Sequence, residues 1–65
     1  MNKLTEKAIL NRIASGLSSF RIGRYVYFVD SLFVVWRSSY YSPSFSDIQP
    51  VAFFSSETNC FEFLI

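Results

Sequence analysis

The first third of the chain carries apolar residues at helical spacing. Leu10, Ile13, Leu17 and Phe20 recur every three or four positions, and polar residues fill most of the positions between them. This period is typical of a helix with one apolar face. The spacing therefore predicts an amphipathic helix over about residues 5–20.

Three residues bear on the limits of that helix. Thr5 is the predicted N-cap, because its hydroxyl can accept a hydrogen bond from a free N–H of the first turn. Gly23 is the predicted stop signal. Gly16 falls inside the predicted helix, where a glycine costs about 1 kcal/mol relative to alanine. Either the helix tolerates it, or it allows a close crossing over a strand.

The hydrophobic period then changes from that of a helix to that of a strand. Tyr25–Val29 and Leu32–Arg37 are rich in β-branched and aromatic residues, and the dipeptide Asp30-Ser31 separates them. This arrangement predicts a β-hairpin over about residues 24–38. A two-residue loop at Asp30-Ser31 is our first interpretation. A four-residue loop with a shifted register stays open, since Asp-Ser is a weaker turn signal than Asn-Gly.

The two-residue loop fixes which side chains share a face of the hairpin. It places Tyr25, Tyr27 and Trp36 together on one face. On the other face, the cross-strand pairs are Phe28 with Phe33, Val26 with Val35, and Arg24 with Arg37.

The rest of the chain predicts a loop and a second hairpin. Residues 39–49 are rich in serine and contain Pro43, which favours a loop. Alternating apolar residues on both sides of a polar turn predict a hairpin over about residues 50–65. The predicted fold is a single small α+β domain, with one N-terminal amphipathic helix packed on an antiparallel sheet of about four strands.

Composition adds an expectation about the surface. The 65 residues are 51% hydrophobic and 20% aromatic, whereas a domain of this size hides only about 60% of the surface of its unfolded chain. Some aromatic side chains must then lie at the surface, where they provide area for a partner.

Charge and residue types exclude several function classes. The net charge is +1, there is no histidine, and there is a single cysteine, Cys60. We therefore predict no enzyme, no cofactor and no metal site, and a reducing cytoplasm as the location. The most apolar run, Tyr25 to Trp36, spans twelve residues, fewer than the roughly 20 that a bilayer helix needs, so no membrane partner is expected.

Arginine and aromatic residues form the candidate partner-binding set, because Tyr, Trp and Arg dominate binding hot spots. The competing interpretation is that aromatic residues on strands simply pack in the core. The candidates are Arg21, Arg24, Tyr25, Tyr27, Trp36, Arg37, Tyr40 and Tyr41.

Our first functional hypothesis is a non-catalytic module that binds a larger protein or protein complex by occupying its surface. The most concrete form is a phage or mobile-element inhibitor of a host or defence complex, a role like that of anti-CRISPR proteins. The alternatives are single-stranded nucleic-acid binding through the same arginine and aromatic residues, and a small structural subunit of a homodimer or larger assembly. A net charge of +1 gives nucleic-acid binding little support.

Overall fold

The computed structural model describes residues 1–41 and 47–65. Within them, one helix packs on a five-stranded antiparallel sheet in which the strand order follows the chain. The α+β prediction is confirmed, with one strand more than the four expected. The predicted loop at 39–49 falls partly outside the described residues. The elements are α1 (Lys3–Ala14), β1 (Ser19–Ile22), β2 (Tyr25–Val29), β3 (Val34–Ser39), β4 (Gln49–Ser55) and β5 (Cys60–Phe63).

Helix α1 ends at Ala14, so the predicted extent to residue 20 is wrong. Gly16 follows the C-cap with φ 88°, the left-handed conformation that favours glycine. Its N–H donates to the carbonyl of Ile13 at 2.9 Å, and the N–H of Leu17 donates to that of Arg12 at 3.1 Å. These two bonds form a Schellman motif. A Cβ on Gly16 would meet nothing within 4 Å, so a close crossing is also excluded.

The start of α1 also differs from the prediction. Asn2 is the N-cap, and its Oδ1 accepts a hydrogen bond from the backbone N–H of Thr5 at 2.8 Å. Thr5 is therefore the third residue of the helix and not its cap. Asn is at least as favourable as Thr at this position, which explains why the helix begins one turn earlier.

Strand β1 begins with Ser19 and Phe20, two residues that the helical spacing had assigned to α1. Phe20 lies opposite Tyr27 and Ile22 opposite Tyr25. The rings of Phe20 and Tyr27 stack, with centroids 5.8 Å apart. Gly23, with φ 63°, is the first residue of the two-residue turn into β2 rather than a helix stop.

The β2–β3 hairpin has the four-residue loop, residues 30–33. Phe28 lies opposite Trp36 and Tyr27 opposite Arg37, so the register built on a two-residue loop is wrong. The pairing has moved by three positions. Neighbouring residues of a strand point to opposite faces of the sheet. A shift by an odd number of positions therefore places the β3 side chains that were predicted on one face on the opposite face.

Asp30 explains why the longer loop is adopted. Its carboxylate accepts hydrogen bonds from the backbone N–H of Leu32 at 2.8 Å and of Val34 at 3.1 Å. It also accepts one from the indole Nε1 of Trp36 at 3.0 Å. These hydrogen bonds, led by the one from Trp36, hold the pKa of Asp30 below its ordinary value.

The core lies between α1 and the sheet. Tyr27, on the central part of β2, is 1% exposed, and Ile9 supplies the buried contact of α1. Leu10 and Leu17, predicted on the apolar face of a longer helix, are exposed. The buried core residues are Ile9, Phe20, Tyr27, Val35, Val51 and Ala52.

Candidate functional site

The observed register separates the candidate residues between the two faces of the sheet. Cross-strand partners share a face, and neighbouring residues of a strand point to opposite faces. Tyr25, Tyr27 and Arg37 are on the face that packs on α1, while Arg21 and Trp36 are on the opposite face. The prediction that Trp36 shares a face with Tyr25 and Tyr27 is wrong, because the pairing of β2 with β3 is shifted by three positions from the predicted one.

Most of the candidates nevertheless gather at one end of the sheet, where the β1–β2 turn meets the end of β3. The backbone N–H of Tyr40 donates to the carbonyl of Arg24 at 2.8 Å and ties these segments together. We call this region the Arg–Tyr end. It consists of Arg21, Arg24, Tyr25, Arg37, Tyr40 and Tyr41.

Arg21 is held by two tyrosines. Its guanidinium carbon lies 3.7 Å from the ring centroid of Tyr40 and 5.4 Å from that of Tyr41. Its Nη2 donates to the hydroxyl of Tyr41 at 2.9 Å, and its Nε donates to the carbonyl of Gly23 at 2.9 Å. The exposed side chain is thereby ordered before any partner arrives.

Arg37 makes the corresponding contact on the other face. Its guanidinium carbon lies 4.1 Å from the ring centroid of Tyr25. Its Nε is buried and has no hydrogen-bond acceptor among the described residues. Burial raises the pKa of Tyr27, and Arg37 opposes that rise through its charge and a side-chain hydrogen bond. The guanidinium of Arg37 therefore lies next to two tyrosine side chains, Tyr25 and Tyr27.

Two depressions adjoin this arginine and share Arg24, Tyr25 and Arg37 as walls. The first, of about 490 Å³, also has the acidic residue Asp47 in its lining. The second, of about 300 Å³, lies between the start of α1 and the sheet, and its described lining contains no acidic residue. We call the second one the helix-side depression. Its walls include Asn2, Thr5, Ile22, Arg24, Tyr25, Tyr27 and Arg37.

Two of the eight candidates have a clear role in the fold. Tyr27 is part of the core, and it adjoins the Arg–Tyr end through its cross-strand partner Arg37 and through the ring of Tyr25, whose centroid lies 6.4 Å from its own. Trp36 is partly buried, and its indole N–H is bound to Asp30 in the β2–β3 loop.

Sequence reasoning missed an aromatic cluster at the opposite end of the sheet. The ring centroid of Phe54 lies 6.5 Å from that of Phe33 and 5.4 Å from that of Phe61. The three rings line a shallow depression of about 170 Å³. We call them the Phe cluster. The sequence feature that could have indicated this cluster is the four-residue loop between β2 and β3, which leaves Phe33 outside the strand and 57% exposed.

Within residues 1–41 and 47–65, His, Cys, Asp and Glu side chains form no group of three or more that could hold a metal ion. In the same part of the chain, no helix has the length and apolar character to cross a membrane.

Comparison with known proteins adds no relative. No protein-family model, no curated protein and no solved structure matches this chain.

Proposed function

We propose that this chain is a non-catalytic protein-binding module that covers a surface of a larger partner with its Arg–Tyr end. One observation carries the proposal, namely the number of large hydrophobic side chains at the surface. Eleven are exposed among the described residues, against six buried core residues. Burying such side chains against a partner is favourable at about 25 cal/mol per Å².

The residue types of the Arg–Tyr end and the fixed orientation of Arg21 favour this end as the contact region. Tyrosine and arginine are enriched in binding hot spots, and here Tyr25, Tyr40 and Tyr41 are all exposed. Arg21 is already fixed by its tyrosine contacts. Ordering a long side chain on binding costs about 0.5–1.5 kcal/mol, and a prearranged arginine avoids part of that cost.

The specific role that we propose is inhibition of a host or defence complex by a protein of a phage or mobile element, acting in the cytoplasm as anti-CRISPR proteins do. The support is the small size together with a surface suited to contact. Such an inhibitor needs no chemistry of its own, because occupying the partner's surface is sufficient.

A capture experiment with matched variants tests the proposal. The tagged chain is expressed in its native host and compared with Arg21→Ala, Tyr41→Ala and the control Arg12→Ala. Arg12 is an exposed arginine in the last turn of α1. We expect one protein to be recovered in a fixed ratio with the native chain and the control, and to be lost with the other two variants.

The outcomes separate the three functional hypotheses. Capture that disappears after nuclease treatment would support nucleic-acid binding instead. Sedimentation of the isolated chain as a dimer, with no second protein captured, would support the structural-subunit hypothesis. Capture that is equal for all four chains would remove the Arg–Tyr end as the contact region.

A further inference from the structure

We infer that the helix-side depression is a carboxylate-binding pocket that receives an Asp or Glu side chain of the partner, with Arg37 and Arg24 as the cationic groups. This rests on the proposed function, since it names the chemistry that the partner must present. It also divides the Arg–Tyr end into two parts, because Arg21 lies on the other face of the sheet.

The surroundings of Arg37 leave its charge available to an anion. The guanidinium lies on the ring of Tyr25 and beside its cross-strand partner Tyr27, and neither of these described neighbours is a carboxylate. Its buried Nε has no acceptor among the described residues. An arginine held by aromatic rings keeps a fixed orientation without a carboxylate partner from its own chain.

Arg24 adds a second positive charge to the lining of the helix-side depression. It belongs to the β1–β2 turn, beside Gly23, and its side chain is exposed. The described lining of the helix-side depression holds these two arginines and no Asp or Glu. The neighbouring depression contains Asp47 and is less favourable for an anion.

The shape and lining favour a carboxylate on a protein side chain over the phosphates of a nucleic acid. Ile22 and the ring of Tyr25 give the depression apolar walls, against which the methylene groups of Asp or Glu can pack. The forked guanidinium group matches a carboxylate with two parallel hydrogen bonds. A nucleic acid needs a series of phosphate contacts, whereas Arg21 faces away from this pocket.

A peptide titration of the isolated protein tests the pocket. The probes are a short neutral peptide with one Glu and the same peptide with Gln in its place, followed through the NMR signals of the arginine Nε–H groups. We expect the Arg37 and Arg24 signals to shift with the Glu peptide, not with the Gln peptide, and less at high salt. Equal shifts with both peptides, or none with either, would overturn the inference.

Two variants distinguish a binding role from a structural one. Arg37→Lys keeps the charge but loses the fork, and we expect Glu-peptide binding to weaken roughly tenfold or more, as loss of a charge-assisted hydrogen bond implies. Arg24→Gln, at an exposed turn position, should weaken it without changing the thermal midpoint. Arg12→Gln is the charge-matched control and should leave binding unchanged. Unaltered binding by both Arg37→Lys and Arg24→Gln would contradict the pocket.

Two further probes identify the anion. Inorganic phosphate or an oligothymidine that shifts the Arg37 signal more strongly than the Glu peptide would replace the carboxylate assignment.

Capture from the host separates the pocket from the proposed function. If Arg24→Gln still captures the partner and Arg21→Ala does not, the pocket lies outside the interface, and the proposed function is retained. If the Glu peptide alone shifts the arginine signals but the chain captures no partner, the pocket is retained, and the proposed function is rejected.

Discussion

The two ends of the sheet both expose aromatic side chains, but they are built differently. At the Arg–Tyr end, guanidinium groups lie on tyrosine rings, 3.7 Å from the centroid for Arg21 and 4.1 Å for Arg37. At the Phe cluster, the apolar rings of Phe33, Phe54 and Phe61 pack against one another and line a shallow depression.

This difference determines what each end can recognise. Apolar contact is non-directional and roughly proportional to the area buried, so the Phe cluster can add affinity without selecting one partner. Arginine on tyrosine combines area with charge and with hydrogen bonds of fixed direction, which select a partner and its orientation. Under the proposed function, specificity therefore belongs to the Arg–Tyr end.

The largest effect on the free energy of unfolding is expected at Tyr27, where the Arg–Tyr end meets the core. Tyr27→Ala removes a buried ring that stacks on Phe20, and such truncations cost about 3–5 kcal/mol. Tyr41→Ala, at a side chain that is 68% exposed, should change the free energy of unfolding by less than about 0.5 kcal/mol. Urea unfolding of the two variants measures the difference. Equal losses would mean that the division between core and contact residues is wrong.

A smaller and pH-dependent effect is expected at the Phe cluster end, where Asp30 holds the β2–β3 loop. Its pKa is lowered in the folded chain, chiefly by the hydrogen bond from Trp36. The stabilisation is complete above the pKa of the unfolded chain and is lost as the pH falls through the lower pKa of the folded state. Asp30→Asn should lower the thermal midpoint near neutral pH.

The difference between the native chain and Asp30→Asn should narrow in acid, because the native carboxylate then becomes neutral. Melting curves across the acid range, with Trp36 fluorescence as the probe of the loop, provide the measurement. A difference that stays constant with pH would mean that the charge of Asp30 does not stabilise the loop.

The fold class could be predicted from the sequence because the two hydrophobic periods differ clearly. Residues near the junction of the two patterns could not be assigned. Leu17 and Phe20 continue the helical spacing, yet Gly16 adopts the left-handed conformation and ends the helix before them. A four-residue strand such as β1 is too short for its alternation to outweigh a helical pattern.

The candidate site was predicted in composition but not in geometry. The residue types at the Arg–Tyr end follow from the enrichment of arginine and tyrosine in binding surfaces. Their division between two faces depends on the length of one loop, and the hydrogen bonds of Asp30 to Val34 and Trp36 that fix this length are not visible in a hydrophobic pattern. The same loop placed Phe33 at the surface.

A smaller effect on stability is expected when Arg21 is replaced. Exposed cation–π contacts contribute about 0.5–1 kcal/mol, so Arg21→Ala should lower the free energy of unfolding by about that amount through its contact with Tyr40. Arg21→Lys keeps the charge but loses the two hydrogen bonds that the guanidinium donates to the hydroxyl of Tyr41 and the carbonyl of Gly23. Urea unfolding compares the two variants with Arg12→Ala. A loss as large as that of Tyr27→Ala would show that Arg21 belongs to the core of the fold.

Two opposing effects on stability are expected when Phe33 is replaced. This residue has φ 59°, and the left-handed conformation costs a bulky residue about 1–2 kcal/mol. Phe33→Gly removes that strain and also removes the contact with Phe54, so the two changes oppose each other and the net change should lie within about 1 kcal/mol. Urea unfolding measures it.

The same variant tests whether the Phe cluster holds two copies of the chain together. Phe33→Gly deletes the most exposed ring of the cluster, so any self-association through it should weaken, while binding at the Arg–Tyr end should not change. Sedimentation at several concentrations, together with partner capture, measures both. If Phe33→Gly abolishes partner capture and Arg21→Ala does not, specificity belongs to the apolar end, and the contrast between the two ends must be reversed.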